Sequence, residues 1–115
     1  MITIIEFPSF LSQIDKSMST KERDEFIDFL AKNPYAGDPI PGTGGVRKIR
    51  WAGNGKGKRG GVRIIYYFYN ETAPVFLLTV YGKGEKEDLT SEQKKQISAL
   101  AKELKVMCKE MGGKL

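Results

Sequence analysis

The sequence predicts an α+β domain in which an antiparallel sheet carries an N-terminal helical hairpin and a C-terminal helix, in the order β-α-α-β-β-β-α. Three observations predict it. Two helix starts are written as capping boxes, Ser19-Thr-Lys-Glu22 and Thr90-Ser-Glu-Gln93, in which hydroxyl and carboxylate or amide each satisfy a free backbone N–H. Two runs, Val62 to Tyr69 and Val75 to Tyr81, are apolar or aromatic at nearly every position, as strands covered on both faces are. The Asn70 to Pro74 connection between them is short enough for an antiparallel hairpin. At 115 residues the chain suits one domain, 1–115, with a single modest core.

The elements follow in order. Ile2-Thr-Ile-Ile-Glu6 is short and β-branched, which predicts an opening strand. Pro8 then suits a first helical turn, where its missing N–H does no harm, and Phe10/Leu11, Ile14 and Met18 follow at helical spacing. The second helix begins at the Ser19 box, carries Phe26, Ile27 and Leu30 on one face, and stops at Asn33-Pro34. Pro34, Pro39, Pro41 and Gly42-Thr-Gly-Gly45 predict a loop over 34–45. Val46 to Ala52 alternates charged and apolar residues, which fits an edge or ligand-facing strand, and the Gly53-to-Gly61 loop joins it to the next. After the Thr90 box, Ile97, Leu100, Ala101, Leu104, Met107/Cys108 and Met111 form the apolar stripe of the last helix, ended by Gly112-Gly113.

Charge is concentrated in one segment. Eight of the 13 glycines lie between Gly42 and Gly61, and no acid occurs between Asp38 and Glu71. Arg47, Lys48, Arg50, Lys56, Lys58, Arg59 and Arg63 fall there. Without these seven, 12 of the 19 bases remain against 14 acids, so the rest of the chain nets −2. A localised cationic segment is the footprint of an anionic partner such as nucleic acid. With no His there is no zinc constellation and no Ser/His/Asp or Cys/His triad. Cys108 sits on an apolar stripe as a small core residue. The acids cluster in the helices, which argues against paired-carboxylate or two-metal chemistry. No run approaches 18 apolar residues and the start has no basic leader, so the expected location is the cytoplasm, with no membrane partner.

Gly55-Lys-Gly-Lys-Arg-Gly60 matches the dinucleotide-binding string, but a strand follows it where a helix is required. It remains either a hairpin loop with solvated lysines or a glycine-rich phosphate nest. Arg63 lies among apolar strand residues with almost no carboxylate on the neighbouring strands, which favours a phosphate as its counter-ion. Tyr81 meets the glycine-flanked Lys83 at a strand end and reads equally as packing or as a functional group. Trp51 reads as a base-stacking platform or, more commonly, as an edge-strand residue packed on a helix. Lys, Arg and Tyr suffice to cleave RNA. The ribose 2′-OH is a nucleophile already beside the phosphate, a crowded lysine can serve as base, and arginine can stabilise the phosphorane.

Gly42-Thr-Gly-Gly-Val-Arg-Lys-Ile-Arg50, Gly55-Lys-Gly-Lys-Arg-Gly-Gly-Val-Arg-Ile-Ile-Tyr-Tyr-Phe68 and Leu77-Leu-Thr-Val-Tyr-Gly-Lys83 together resemble the HigB branch of the RelE/ParE toxin superfamily. The likeness runs along nearly the whole chain, the N-terminal hairpin matching in pattern only. It implies a RelE-like fold and a toxin of a type II toxin–antitoxin system, held inactive by a cognate antitoxin encoded beside it. The implied activity is ribosome-dependent mRNA cleavage in the A site, by 2′-OH attack and without metal or other cofactor. By matching position, Lys56 and Lys58 are the loop lysines acting as base or phosphate stabiliser, and Arg63 the strand arginine on the scissile phosphate. Tyr81 and Lys83 occupy the strand end where relatives place an aromatic and a further arginine; no Arg follows Arg63 in this chain, so both are expected catalytic residues, Lys83 taking that charge or Tyr81 taking part in the chemistry. Arg47, Lys48, Arg50 and Arg59 are the expected contacts to mRNA and ribosomal RNA. The alternatives are a gyrase-poisoning toxin of the ParE branch and an RNA-binding module without catalysis.

Overall fold

The computed structural model describes residues 2–51, 61–82 and 89–113. Its elements are β1 (Ile4–Glu6), α1 (Pro8–Ser17), α2 (Thr20–Lys32), β2 (Asp38–Pro39), β3 (Val46–Trp51), β4 (Val62–Phe68), β5 (Val75–Gly82) and α3 (Ser91–Gly113). Both capping boxes form. Ser19 Oγ accepts from Glu22 N–H while Glu22 Oε1 accepts from Ser19 N–H, and Thr90 and Gln93 exchange the same pair of bonds. Pro8 opens α1 as expected.

The α+β class and element order are those the sequence predicts, with two corrections to the sheet. It is mixed, in the order β1-β5-β4-β3-β2, because β1 pairs parallel with β5 while the other pairs are antiparallel. The helical hairpin carries the chain from one sheet edge to the other. The β3-β4-β5 meander then returns, and its third strand arrives beside β1 running in the same direction. Within the predicted loop, Asp38 and Pro39 pair with Lys48 and Arg47 as a short outer strand. Pro39 is tolerated there because an edge strand has one side free of ladder bonds.

Helices cover the two faces separately. Phe10, Ile14, Met18, Phe26 and Leu30 of the hairpin region bury Val62, Ile64, Tyr66 and Phe68. Ala101, Leu104 and Cys108 of α3 bury Ile65, Tyr67, Phe76 and Leu78 on the other face. Hence β4 is apolar at almost every position, since successive residues feed opposite cores.

Tyr66 fixes the incoming loop. Fully buried, its Oη donates to Pro34 O and accepts from Gly37 N–H, both at 2.8 Å. A Cβ on Gly37 would come within 2.8 Å of the Tyr66 ring and hydroxyl, so the close approach requires glycine. Farther on, Gly42, Gly44 and Gly45 all take positive φ, turning the chain into β3.

Candidate functional site

The strand ladder builds a cationic row. Arg50 of β3 stands opposite Arg63 of β4, which stands opposite Tyr81 of β5. Directly opposed residues share a sheet face, and Tyr81 packs into the α3-side core, so all three lie on the α3 side. Lys48, two residues before Arg50, is on the same face. Arg50 is exposed and Lys48 and Arg63 are half-buried, whereas Tyr81 is 3 % exposed. No carboxylate among the described residues lies within ion-pair distance of Arg50 or Arg63, while Arg23 pairs with Glu6 at 2.6 Å and Lys32 with Asp28 at 3.0 Å.

A β-bulge puts Tyr81 in this row. The β4–β5 register shifts at Ile65/Tyr66: Ile65 opposes Thr79 while Tyr66 opposes Leu77, leaving Leu78 as the extra residue. Before it, Phe76 faces α3 and Leu77 the hairpin; after it, Val80 faces the hairpin and Tyr81 faces α3. Strict alternation from Phe76 would have sent Tyr81 to the opposite face from Arg63.

Other expected residues lie elsewhere. Arg47 is on the hairpin face, where its Nη1 donates to Gly37 O (2.6 Å) and Tyr35 O (3.2 Å) and its guanidinium lies 5.2 Å from the Tyr35 ring centre. It pins the loop and is not brought together with the row. Trp51 is on that face too, its ring 5.3 Å from Phe26 and 5.2 Å from Phe29, so it packs on α2. Lys56, Lys58, Arg59 and Lys83 lie outside the described residues. Cys108 is buried, and burial pushes its thiol pKa up, away from the thiolate a nucleophile needs.

Among the described residues, clefts lie on either side of α3. One, about 320 Å³, lies between the start of α1, β5 and α3; Phe7, Leu78, Leu89, Ile97 and Leu100 line it, and none of its lining side chains is charged. The other, about 390 Å³, lies between the Gly42 turn and α3 and is lined by Lys94, Lys95 and Lys102. The sequence reading does not single out these lysines. Their helical spacing, with Lys105 and Lys109 continuing on the side of Lys102, is the signal that could have found them.

Together the fold and the row define a small α+β protein with Arg50 and Arg63 gathered at one end of its sheet, out of ion-pair reach of any described carboxylate. Residues 41–113 match the family model described as the RelE toxin of the RelE/RelB toxin–antitoxin system, and the chain belongs to that family. The match takes in β3, β4, β5 and α3, and hence the whole row. Among the described residues no helix is long and apolar enough to cross a membrane.

Proposed function

We propose that this protein is a ribosome-dependent mRNA endoribonuclease of the HigB branch, one that inhibits translation by cutting messages in the ribosomal A site. The observation that carries the reading is the Arg50–Arg63 pair. Two guanidinium-bearing residues directly opposed across a ladder repel each other, and no described carboxylate relieves them. A phosphodiester supplies the missing charge, and arginine's planar fork suits its oxygens.

In the proposed reaction the ribose 2′-oxygen attacks the adjacent phosphorus as its proton passes to a base. The phosphorus–5′-oxygen bond breaks, and the departing 5′-oxygen takes up a proton. The products are a 2′,3′-cyclic phosphate and a 5′-hydroxyl. Arg63 holds the scissile phosphate and stabilises the extra charge of the phosphorane, with Arg50 beside it. Lys56 and Lys58 serve as base or phosphate stabiliser, and Lys83, the next residue in sequence after Gly82, adds charge. Tyr81 walls the row next to Arg63. Lys48 and Arg59 contact flanking mRNA or ribosomal RNA. The chain acts in the cytoplasm as one domain, 1–115, and a cognate antitoxin neutralises it.

Programmed ribosomes carrying a message with one 2′-deoxynucleotide at the cut position test the chemistry. The all-ribose message should yield a fragment ending in 2′,3′-cyclic phosphate, and the deoxy message should stay intact there. Equal cutting of both would overturn the 2′-OH mechanism. Inhibition of gyrase supercoiling with both messages uncut would assign the protein to the gyrase-poisoning branch instead.

A further inference from the structure

The charges of α3 are sorted by flank. Lys94, Ser98, Lys102, Lys105 and Lys109 follow at steps of four, four, three and four residues, and Lys95 lies seven before Lys102. Such steps keep residues on one side of a helix. Glu92, Glu103 and Glu110 recur at steps of eleven and seven, which keeps them together on another side. The buried Ala101, Leu104 and Cys108 run between the two flanks. Ser98 Oγ donates to Gly42 O at 3.4 Å, so the lysine flank is the one turned toward the Gly42 loop, over the cleft of about 390 Å³. Lys48 stands on the same sheet face, between that loop and the Arg50–Arg63 row.

The lining of this cleft selects its ligand. Besides lysines it offers Gly42, Ser98 and Ala99, and no large apolar side chain. Protein interfaces are anchored by aromatic, aliphatic and arginine side chains in desolvated pockets, which the neutral cleft on the other side of α3 resembles more closely. Five lysines spread from Lys94 to Lys109 along one helix flank suit a polymer of anions better than a single small one. Gly42, at positive φ with nothing near the place a Cβ would take, leaves the opposite wall free of side-chain bulk.

We infer that the α3 lysine flank and its cleft form a second RNA-binding site, which grips the phosphate backbone of an RNA strand away from the Arg50–Arg63 row. The inference rests on the proposed function for its ligand class but not for cleavage. The protein therefore holds its RNA target at two places, the row acting on the scissile phosphate and the flank adding affinity.

The test is fluorescence anisotropy of a fluorescein-labelled RNA hairpin, titrated across about 50–200 mM salt, where phosphate contacts show as slope. Three proteins are compared: wild type, K94Q/K95Q/K102Q, and K16Q/K21Q/K32Q with the same charge change on the helical hairpin. Thermal melting checks that each is folded. The α3 triple should bind about 10-fold or more weaker at low salt, with a log–log slope shallower by about 2 to 3, while the hairpin triple stays close to wild type. On programmed ribosomes the α3 triple should raise KM with kcat held. Equal slopes for the two triples would overturn the inference. So would loss of antitoxin affinity with the RNA slope unchanged, or a wild type that does not bind the hairpin. A wild type that binds with the predicted slope yet cuts no message would sink the proposed function and leave this site standing.

Discussion

Arg63 of β4 sits directly across the ladder from Arg50 of β3, on the face where Tyr81 completes the row, with no described carboxylate in reach of either arginine. Folding alone gains nothing from that arrangement, since opposed like charges destabilise a strand pair by some tenths of a kcal/mol. On the proposed function its use lies in the phosphate it attracts.

Arg50→Gln should accordingly stabilise the free protein, by about 0.2–1 kcal/mol in low salt. The gain should shrink as added salt screens the repulsion in the wild type. The same substitution should weaken RNA binding. Thermal denaturation at two ionic strengths, with anisotropy on the same samples, checks both signs.

Arg47 provides the contrast. Its bonds to Tyr35 O and Gly37 O hold the loop before β3 from the opposite face of the sheet. Arg47→Ala should cost about 1–2 kcal/mol of stability, seen as a lower urea midpoint. The salt slope of RNA binding should stay at the wild-type value.

Tyr66→Phe should strip Pro34 O and Gly37 N–H of their buried partner and cost about 1–3 kcal/mol. Burial, the largest cause, raises the Tyr66 pKa above its ordinary 10.0. The unfolded chain therefore ionises at this position first. The associated stability is full below pH 10.0 and is lost as pH rises toward the folded value. Equilibrium unfolding between neutral pH and about pH 11 should fall off less steeply for the Phe variant.

Cys108 should be inert in the native state. It is buried under α3 with its thiol pKa raised by desolvation. A thiol reagent should label it only at the rate of unfolding, and Cys108→Ser should cost about 1–3 kcal/mol by burying a hydroxyl in an apolar site. Rapid labelling of the folded protein would contradict this packing.

What the sequence reveals of this fold is what local chemistry writes. The Ser19 and Thr90 boxes, Pro8 at the start of α1 and the doubly buried β4 and β5 are legible because each is set within a few residues. The parallel β1–β5 pair joins residues some 70 positions apart, as Ile4 with Val75 shows, and no local pattern announces it. Asp38–Pro39 reads as loop because Pro is a poor strand residue everywhere except at an edge.

Within the candidate site the pattern is similar. Alternation along Val46–Trp51 already separates Lys48 and Arg50 from Arg47, Ile49 and Trp51, although the sequence reading groups all the bases together. The face taken by Tyr81 was not legible, because it depends on a bulge at Leu78 that breaks the period of two. The α3 lysines were hidden by bookkeeping: Glu92, Glu103 and Glu110 offset them in the net charge while lying on another flank.

Primer extension on a defined message with purified ribosomes tests the proposed cleavage most directly. Wild type, Arg63→Ala and a reaction without ribosomes are compared. Codon-positioned cuts are expected from wild type with ribosomes and none without them, with a loss of about 100-fold or more in cleavage rate for Arg63→Ala. No cuts from folded, antitoxin-free wild type, or undiminished cutting by the variant, would contradict the proposed function.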